Sequence, residues 1–430
     1  MSTTTEHFRS GDNVAASVPA IVTPAANPPG ARIGRARVLF FATTIAIVVL
    51  SLYASQPLIG LISLSFHLPP STAALVPTVT LLGYAVGLMF LVPPIDLLPN
   101  RRLVITTMAF MTIALTGVAL APTPTLLFVA SALVGFTSTV VQMLVSIVAG
   151  LASDHDRGRI VGTVQSGIIV GVLVSRPLAS TVSQFFDWRI HYGAIAVLIA
   201  FITFILSSVI KEKRPTTETS YGALIGSMCR LFIQESSLRR HAAYQFLLMG
   251  GFSVFWTAAA LRLSAALFNL GQLGIALFAF AGISGALIAP FAGRIGDRGW
   301  TNRVTLLAHA SAILGFVLIG LAADGGWSIW ATASHTQASL AVLLLGAVLL
   351  DLGVVTDQVL GRIAINTVRP EARGRINALY TGVFFVGGSA GAALAGTAWM
   401  RGGWADVSAL GLAFSIAAFL LSTFRSIQRQ

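Results

Sequence analysis

The stretch QMLVSIVAGLASDHDRGRIVGTVQSGIIVGVLVSRPLAST, Gln142 to Thr181, decides the fold because the chain repeats it. The second copy, QVLGRIAINTVRPEARGRINALYTGVFFVGGSAGAALAGT, runs from Gln358 to Thr397, 216 positions later and without a gap. Gln142 falls on Gln358, Leu144 on Leu360, Arg157-Gly158-Arg159-Ile160 on Arg373-Gly374-Arg375-Ile376, and Gly171 on Gly387. Each copy reads as an apolar helix carrying one Gln, a short basic turn, then a second apolar helix rich in small residues. Self-similarity at half the chain length predicts two alike halves.

Composition names the solvent of those halves. Hydrophobic residues make up 55% of the 430 and charged residues 10%, with a mean hydropathy of +0.84. A soluble domain carries about 25% charge. No soluble packing hides this much apolar surface, so a lipid bilayer is expected around it. Internal repeats in that setting point to a transporter architecture. The net charge of +12 does not point to nucleic acid, because the basic residues sit in short loops between apolar runs and not on one face of a domain. The single cysteine, Cys229, excludes an intramolecular disulfide and reads as an ordinary loop thiol.

Working outward from the repeat, twelve apolar segments lie near 38–62, 73–94, 103–121, 125–150, 160–183, 190–210, 241–263, 271–292, 304–323, 338–361, 376–398 and 407–424. Most are long enough to span ~30 Å of hydrocarbon at ~1.5 Å per residue. The runs are continuously apolar and do not alternate, which favours helices over a barrel. The expected fold is an all-α membrane protein with two pseudo-symmetric six-helix bundles, 35–210 and 241–424. Residues 1–34 read as a disordered cytoplasmic tail without the layout of a signal peptide. Residues 425–430 form a second tail. The linker 211–240 places Tyr221, Leu224, Ile225, Met228, Leu231 and Phe232 at helical spacing, so an amphipathic helix on the inner membrane surface is expected there. Basic residues set the orientation. With both termini cytoplasmic, the outer loops hold only Arg189, Arg262 and Arg401.

Two loops carry a further signal. Pro93-Pro94-Ile95-Asp96-Leu97-Leu98-Pro99-Asn100-Arg101-Arg102 follows segment two, and Gly293-Arg294-Ile295-Gly296-Asp297-Arg298-Gly299-Trp300-Thr301-Asn302-Arg303 follows segment eight. In each, an aspartate ends a helix and basic residues follow, a set able to latch helix ends by charge-assisted bonds. Both loops resemble the G-x-x-x-D-x-x-G-R-R signature of the Major Facilitator Superfamily. Gly293 keeps the leading glycine, whereas Val92 and Pro99 replace the glycines of the first copy. Tyr53-Ala54-Ser55-Gln56-Pro57-Leu58, Val174-Ser175-Arg176, Phe252-Ser253-Val254-Phe255-Trp256-Thr257, Leu350-Asp351-Leu352-Gly353-Val354 and Pro370-Glu371-Ala372-Arg373-Gly374 are similar to its bacterial drug:proton-antiporter-like branch. In segment five, Ser175 and Arg176 stand where that branch's antiporter motif has Gly-Pro.

The resemblance implies a central cavity lined by segments one, four, seven and ten, and a moving interface made by segments two, five, eight and eleven. Polar groups at bilayer depth are the candidates for chemistry, because burying them in hydrocarbon is costly. Gln56, Gln142 and Gln358 are expected in the cavity, as substrate contacts or as helix–helix hydrogen bonds. Trp256, with Phe252 and Phe255, reads as an aromatic wall or as lipid-facing or core aromatics. Asp351 is expected to be the proton-coupling acid, since a carboxylate so deep is expensive to keep charged. A structural hydrogen bond is the alternative. Arg176 is expected in the cavity wall, binding an anionic group or a carboxylate of the other half; snorkelling to the outer surface is the alternative. Asp96, Arg101, Arg102, Asp297, Arg298 and Arg303 are expected to form a cytoplasmic gate, joined by Asp357 as partner of Arg303 or Arg298. His309 reads as structural.

No phosphate loop and no catalytic motif appears, so no enzyme activity, cofactor or metal is expected. The expected partners are a small-molecule substrate, protons and membrane lipid, with the chain acting as a monomer in the cell inner membrane. The expected activity is export of small organic molecules or drugs in exchange for protons. Proton-coupled uptake of a metabolite and a non-transporting membrane sensor are the competing readings.

Overall fold

The computed structural model describes residues 34–153, 156–212, 220–322, 336–369 and 372–427. The tail expected over 1–34 lies outside them except for Gly34, as do the last three residues of the tail expected over 425–430. Among the described residues all regular structure is helical. In order come α1 (Arg35–Tyr53), α2 (Ser55–Phe66), α3 (Pro70–Ala73), α4 (Leu75–Phe90), a 3-10 turn (Pro93–Asp96), α5 (Asn100–Ala119), α6 (Pro124–Ser138), α7 (Val140–Leu151), α8 (Arg157–Phe185) and α9 (Trp188–Val209). Then follow α10 (Tyr221–Gln234), α11 (Ser236–Ser264), α12 (Gln272–Ala279), a 3-10 turn (Phe280–Gly282), α13 (Ile283–Asp297), α14 (Thr301–Leu321), α15 (Thr336–Asn366) and α16 (Arg373–Ile427).

Several consecutive helices form one crossing with a local interruption. Pro57 has no N–H to give Tyr53, and Pro77 none to give Ala73, so the ladder breaks at Ala54 and Ala74 while the backbone stays helical there. α1 with α2 and α3 with α4 are therefore single crossings, and so are α6 with α7, joined through Thr139 in helical geometry, and α12 with α13, joined through the 3-10 turn. α16 holds two, because Gly402 and Gly403 leave helical geometry and Gly403 adopts φ 62°, a conformation that favours glycine. The chain reverses there: Gly391 packs on the backbone of Gly250, and Phe414, beyond the turn, reaches the same Gly250.

The ends of the crossings are set by local chemistry. Thr123 accepts a bond from the Leu126 amide at 3.4 Å and Pro124 opens α6. Asp187 accepts from the Arg189 amide at 2.8 Å ahead of α9, and Ser220 from the Ala223 amide at 3.2 Å ahead of α10. α10 lies where the linker helix was expected. It buries Met228 and Leu231, and its Tyr221 hydroxyl donates to the Phe90 carbonyl at 3.0 Å.

Packing falls into bodies that follow the repeat. One core cluster draws only on residues between Val38 and Ile210. A second draws mainly on residues between Leu248 and Ala418, adding Leu52, Tyr53, Leu81, Tyr84, Ala85 and Leu88 from the first half. The repeat also places its glycines alike. Gly171 sets α8 against the Ala46 carbonyl of α1, and Gly387 sets α16 against the Phe246 carbonyl of α11. Outward, Phe110, Ile113, Phe201, Phe204, Leu287 and Leu307 stay exposed, the belt expected of a surface that meets lipid.

Candidate functional site

A cavity of about 410 Å³ lies between the halves. Its wall follows helical stripes. On α15, Asp351, Val355, Gln358, Arg362 and Asn366 succeed one another at steps of three and four residues, which is one face of a helix. On α8 the stripe is Gln165, Ile169, Val172 and Arg176. The internal repeat maps these walls onto each other: Gln142 and Gln358, Gln165 and Thr381, Ile168 and Phe384, Ile169 and Phe385 all line the space. The correspondence fails at Arg176, which lines the cavity, and Ala392, which is fully buried elsewhere.

The cavity opens toward the end of the bundle that carries the basic loops. Its wall reaches Asn366 at the last residue of α15, and Gln165, near the start of α8, is exposed. The opposite end is shut. There α12 packs along α8, α2 packs on α11, and the Leu273 amide donates to Gln184 Oε1 at 3.2 Å across the two halves.

The roof of the cavity is a polar and aromatic cluster. Arg176 is buried, and its Nε donates to Gln56 Oε1 at 2.8 Å. Its guanidinium carbon lies 4.5 Å from the ring centroid of Trp256, 4.9 Å from that of Tyr53 and 5.3 Å from that of Phe252. Such stacking favours a cation by about 2 kcal/mol when desolvated. Trp256 Nε1 in turn donates to Asp351 Oδ1 at 3.2 Å. The charges of Arg176 and Asp351 act on each other across this cluster. Gly282 leaves space for the Asp351 carboxylate, and Gly285 for Val355 beside it.

The expected cavity residues therefore separate into two groups. Asp351, Arg176, Gln142 and Gln358 line the cavity. Gln56 and Trp256 stand behind that wall: both are buried, the first holding Arg176 and the second joining Arg176 to Asp351. Phe252 is in the wall, whereas Phe255 is fully buried against Trp404. Tyr84, Gln165 and Arg362 also line the cavity and were not singled out in the sequence. For Arg362 the three-four spacing from Asp351 carries that signal.

The set of residues read as a gate is dispersed. Arg101 donates through Nε and Nη2 to the Ser207 carbonyl at 2.9 and 2.5 Å, joining α5 to the end of α9 inside the first half. Arg102, Arg298 and Arg303 are exposed. The side chain of Asp297 lies outside the described residues. Asp96 is exposed and sits within the electrostatic reach of Arg375, at the start of α16. Asp357 is a correction. It was expected beside Arg298 or Arg303, but it is enclosed in the second half. There it accepts from Gln245 Nε2 at 2.7 Å and pairs with His309 Nε2 at 3.1 Å. Two partners from α11 and α14 satisfy it away from the basic end, since its face of α15 turns from the cavity into the bundle. His309 reaches Ser422 with its other nitrogen at 3.2 Å.

Two repeated halves around a shared cavity define a multi-pass carrier. The comparisons agree. Residues 39–336 match the model of the Major Facilitator Superfamily. The uncharacterized transporter YgaY of Escherichia coli O157:H7 is 33% identical over 402 residues, covering 94% of this chain and 98% of that protein. The nucleoside transporter NupG, as its D323A mutant, has a similar fold with TM-score 0.70 at 14% identity, over 90% of this chain and 98% of that one. A bacterial homolog of the human lysosomal transporter Spinster, in an inward-facing and unoccupied conformation, gives 0.65 at 13% identity, over 90% and 95%. The chain belongs to the Major Facilitator Superfamily. It is a membrane transporter, as its relatives are, and not an enzyme.

Proposed function

We propose that the protein is a proton-coupled secondary transporter of small organic molecules. The halves 35–210 and 241–424 rock around the cavity to expose it to each side in turn, and Asp351 carries the proton. One observation supports this most: Asp351 is the carboxylate in the cavity wall, and it is linked through Trp256 to Arg176 of the other half. A proton gained or lost there changes an interaction that spans the two moving bodies. The basic loops favour cytoplasmic termini and an inner-membrane location, so the cavity described here faces the cytoplasm.

Export in exchange for protons is the direction supported by the resemblance to the drug:proton-antiporter-like branch. A second direction, uptake together with a proton, is supported by Arg176, a cation in the wall where that branch's antiporter motif has Gly-Pro. Accumulation of a compound panel in cells with and without the chain separates the two. An exporter lowers accumulation of its substrate and an importer raises it. Absence of counterflow in proteoliposomes for every compound that changes accumulation would remove transport itself.

A further inference from the structure

Arg176 is an unusual group to enclose. It is 4% exposed, and among the described residues it has no ion-pair partner within 4.0 Å. Its Nε is satisfied by Gln56, three aromatic rings surround it, and its Nη2 has no hydrogen-bond partner. A buried donor left unpaired costs about 1–3 kcal/mol, more when charged. The same residue lines the cavity. The cavity charges are Arg176, Arg362 and Asp351, an excess of positive charge. Tyr53, Phe252, Phe384 and Phe385 add flat apolar surface to the wall.

We propose that Arg176 is a subsite for an acidic group of the transported molecule, which makes the substrates organic acids with a flat apolar body. The inference rests on the transport reading above and adds the substrate class. A carboxylate would meet the Arg176 guanidinium as a charge-assisted bond, while the body packs on the aromatic wall. Asp351 then tunes this subsite. Arg176 from α8 is the charge that acts on it; α11 faces it with Trp256, the 3-10 turn and α13 with Gly282 and Gly285, and His309 of α14 goes to Asp357 instead. Arg362 lies three turns further along α15 in the same wall. Neutralising Asp351 with a proton removes the negative charge that competes for Arg176, so proton and acid favour each other's binding. Sites linked with that sign load together, which selects the second of the two directions.

Three probes of similar shape test the subsite: naphthalene-2-carboxylate, naphthalene-2-carboxamide and naphthalen-2-ylmethylammonium. Binding to the full chain in detergent is read as a shift in melting temperature, since a ligand of the folded state raises it. The carboxylate is expected to bind at least tenfold tighter than the other two, and tighter at pH 6 than at pH 8. Arg176→Gln should abolish the preference, Arg176→Lys should keep it with weaker binding, and Asp351→Asn should keep it without the pH dependence. Equal binding of acid and amide, no binding of any probe, or a preference that survives in Arg176→Gln would overturn the proposal. Where Arg176→Gln does not fold, loss of the preference in Arg176→Lys counts against it as well. The transport reading fails separately, on counterflow of whatever compound the cells accumulate.

Discussion

Asp351 and Asp357 lie six residues apart on one helix, about 9 Å along its axis, and both are almost fully buried. Their surroundings differ. Asp357 is held by Gln245 and His309, both from its own half, and lies outside the cavity wall. Asp351 faces the cavity and is tied through Trp256 to Arg176 of the opposite half. On the proposed reading, burial alone thus does not distinguish a coupling acid from a structural one. A coupling acid must reach the aqueous path and touch a group that moves relative to it.

The strongest way to break this contrast is to neutralise each acid in turn. Asp351→Asn is expected to remove more than about tenfold of proton-driven accumulation in proteoliposomes, as a residue does when it carries a coupled step, while counterflow persists. Asp357→Asn should retain gradient-driven accumulation in the fraction that folds. The reverse pattern would assign the proton to the enclosed acid.

A smaller effect sharpens the other side. His309→Ala leaves Asp357 buried with one partner fewer, a change that costs about 1–3 kcal/mol. The purified variant should melt well below the native chain, with coupling stoichiometry unchanged in what remains folded. An unchanged melting temperature would show that the Asp357–His309 contact contributes little to stability.

Much of this arrangement was legible from residues alone. The repeat from Gln142 and Gln358 predicted two halves, and the same pairing recurs in the cavity wall at Gln165 and Thr381. Segment positions were close because hydrophobic runs must match the bilayer; the helices extend a few residues further where Pro70, Thr123 and Asp187 set their starts. The partners of single polar residues were less legible. A carboxylate near the basic end of segment ten suggests an ion pair with nearby arginines, yet the rotation of α15 aims Asp357 at His309, whose position depends on how α14 packs. Trp256 read as a wall residue, but α11 turns it into the roof, where its indole bridges Arg176 and Asp351. Such assignments follow from helix rotation, which a hydropathy pattern does not encode at single-residue precision.

The central claim is that one face of α15 lines an aqueous path while the adjacent face is sealed. Two single-cysteine chains, made with Cys229→Ser, test it in vesicles whose basic end faces outward: Gln358→Cys on the cavity side and Leu360→Cys, fully buried, in the core. A membrane-impermeant maleimide is predicted to label Gln358→Cys rapidly and leave Leu360→Cys unmodified. Equal labelling of the two, or none at Gln358→Cys, would contradict the account.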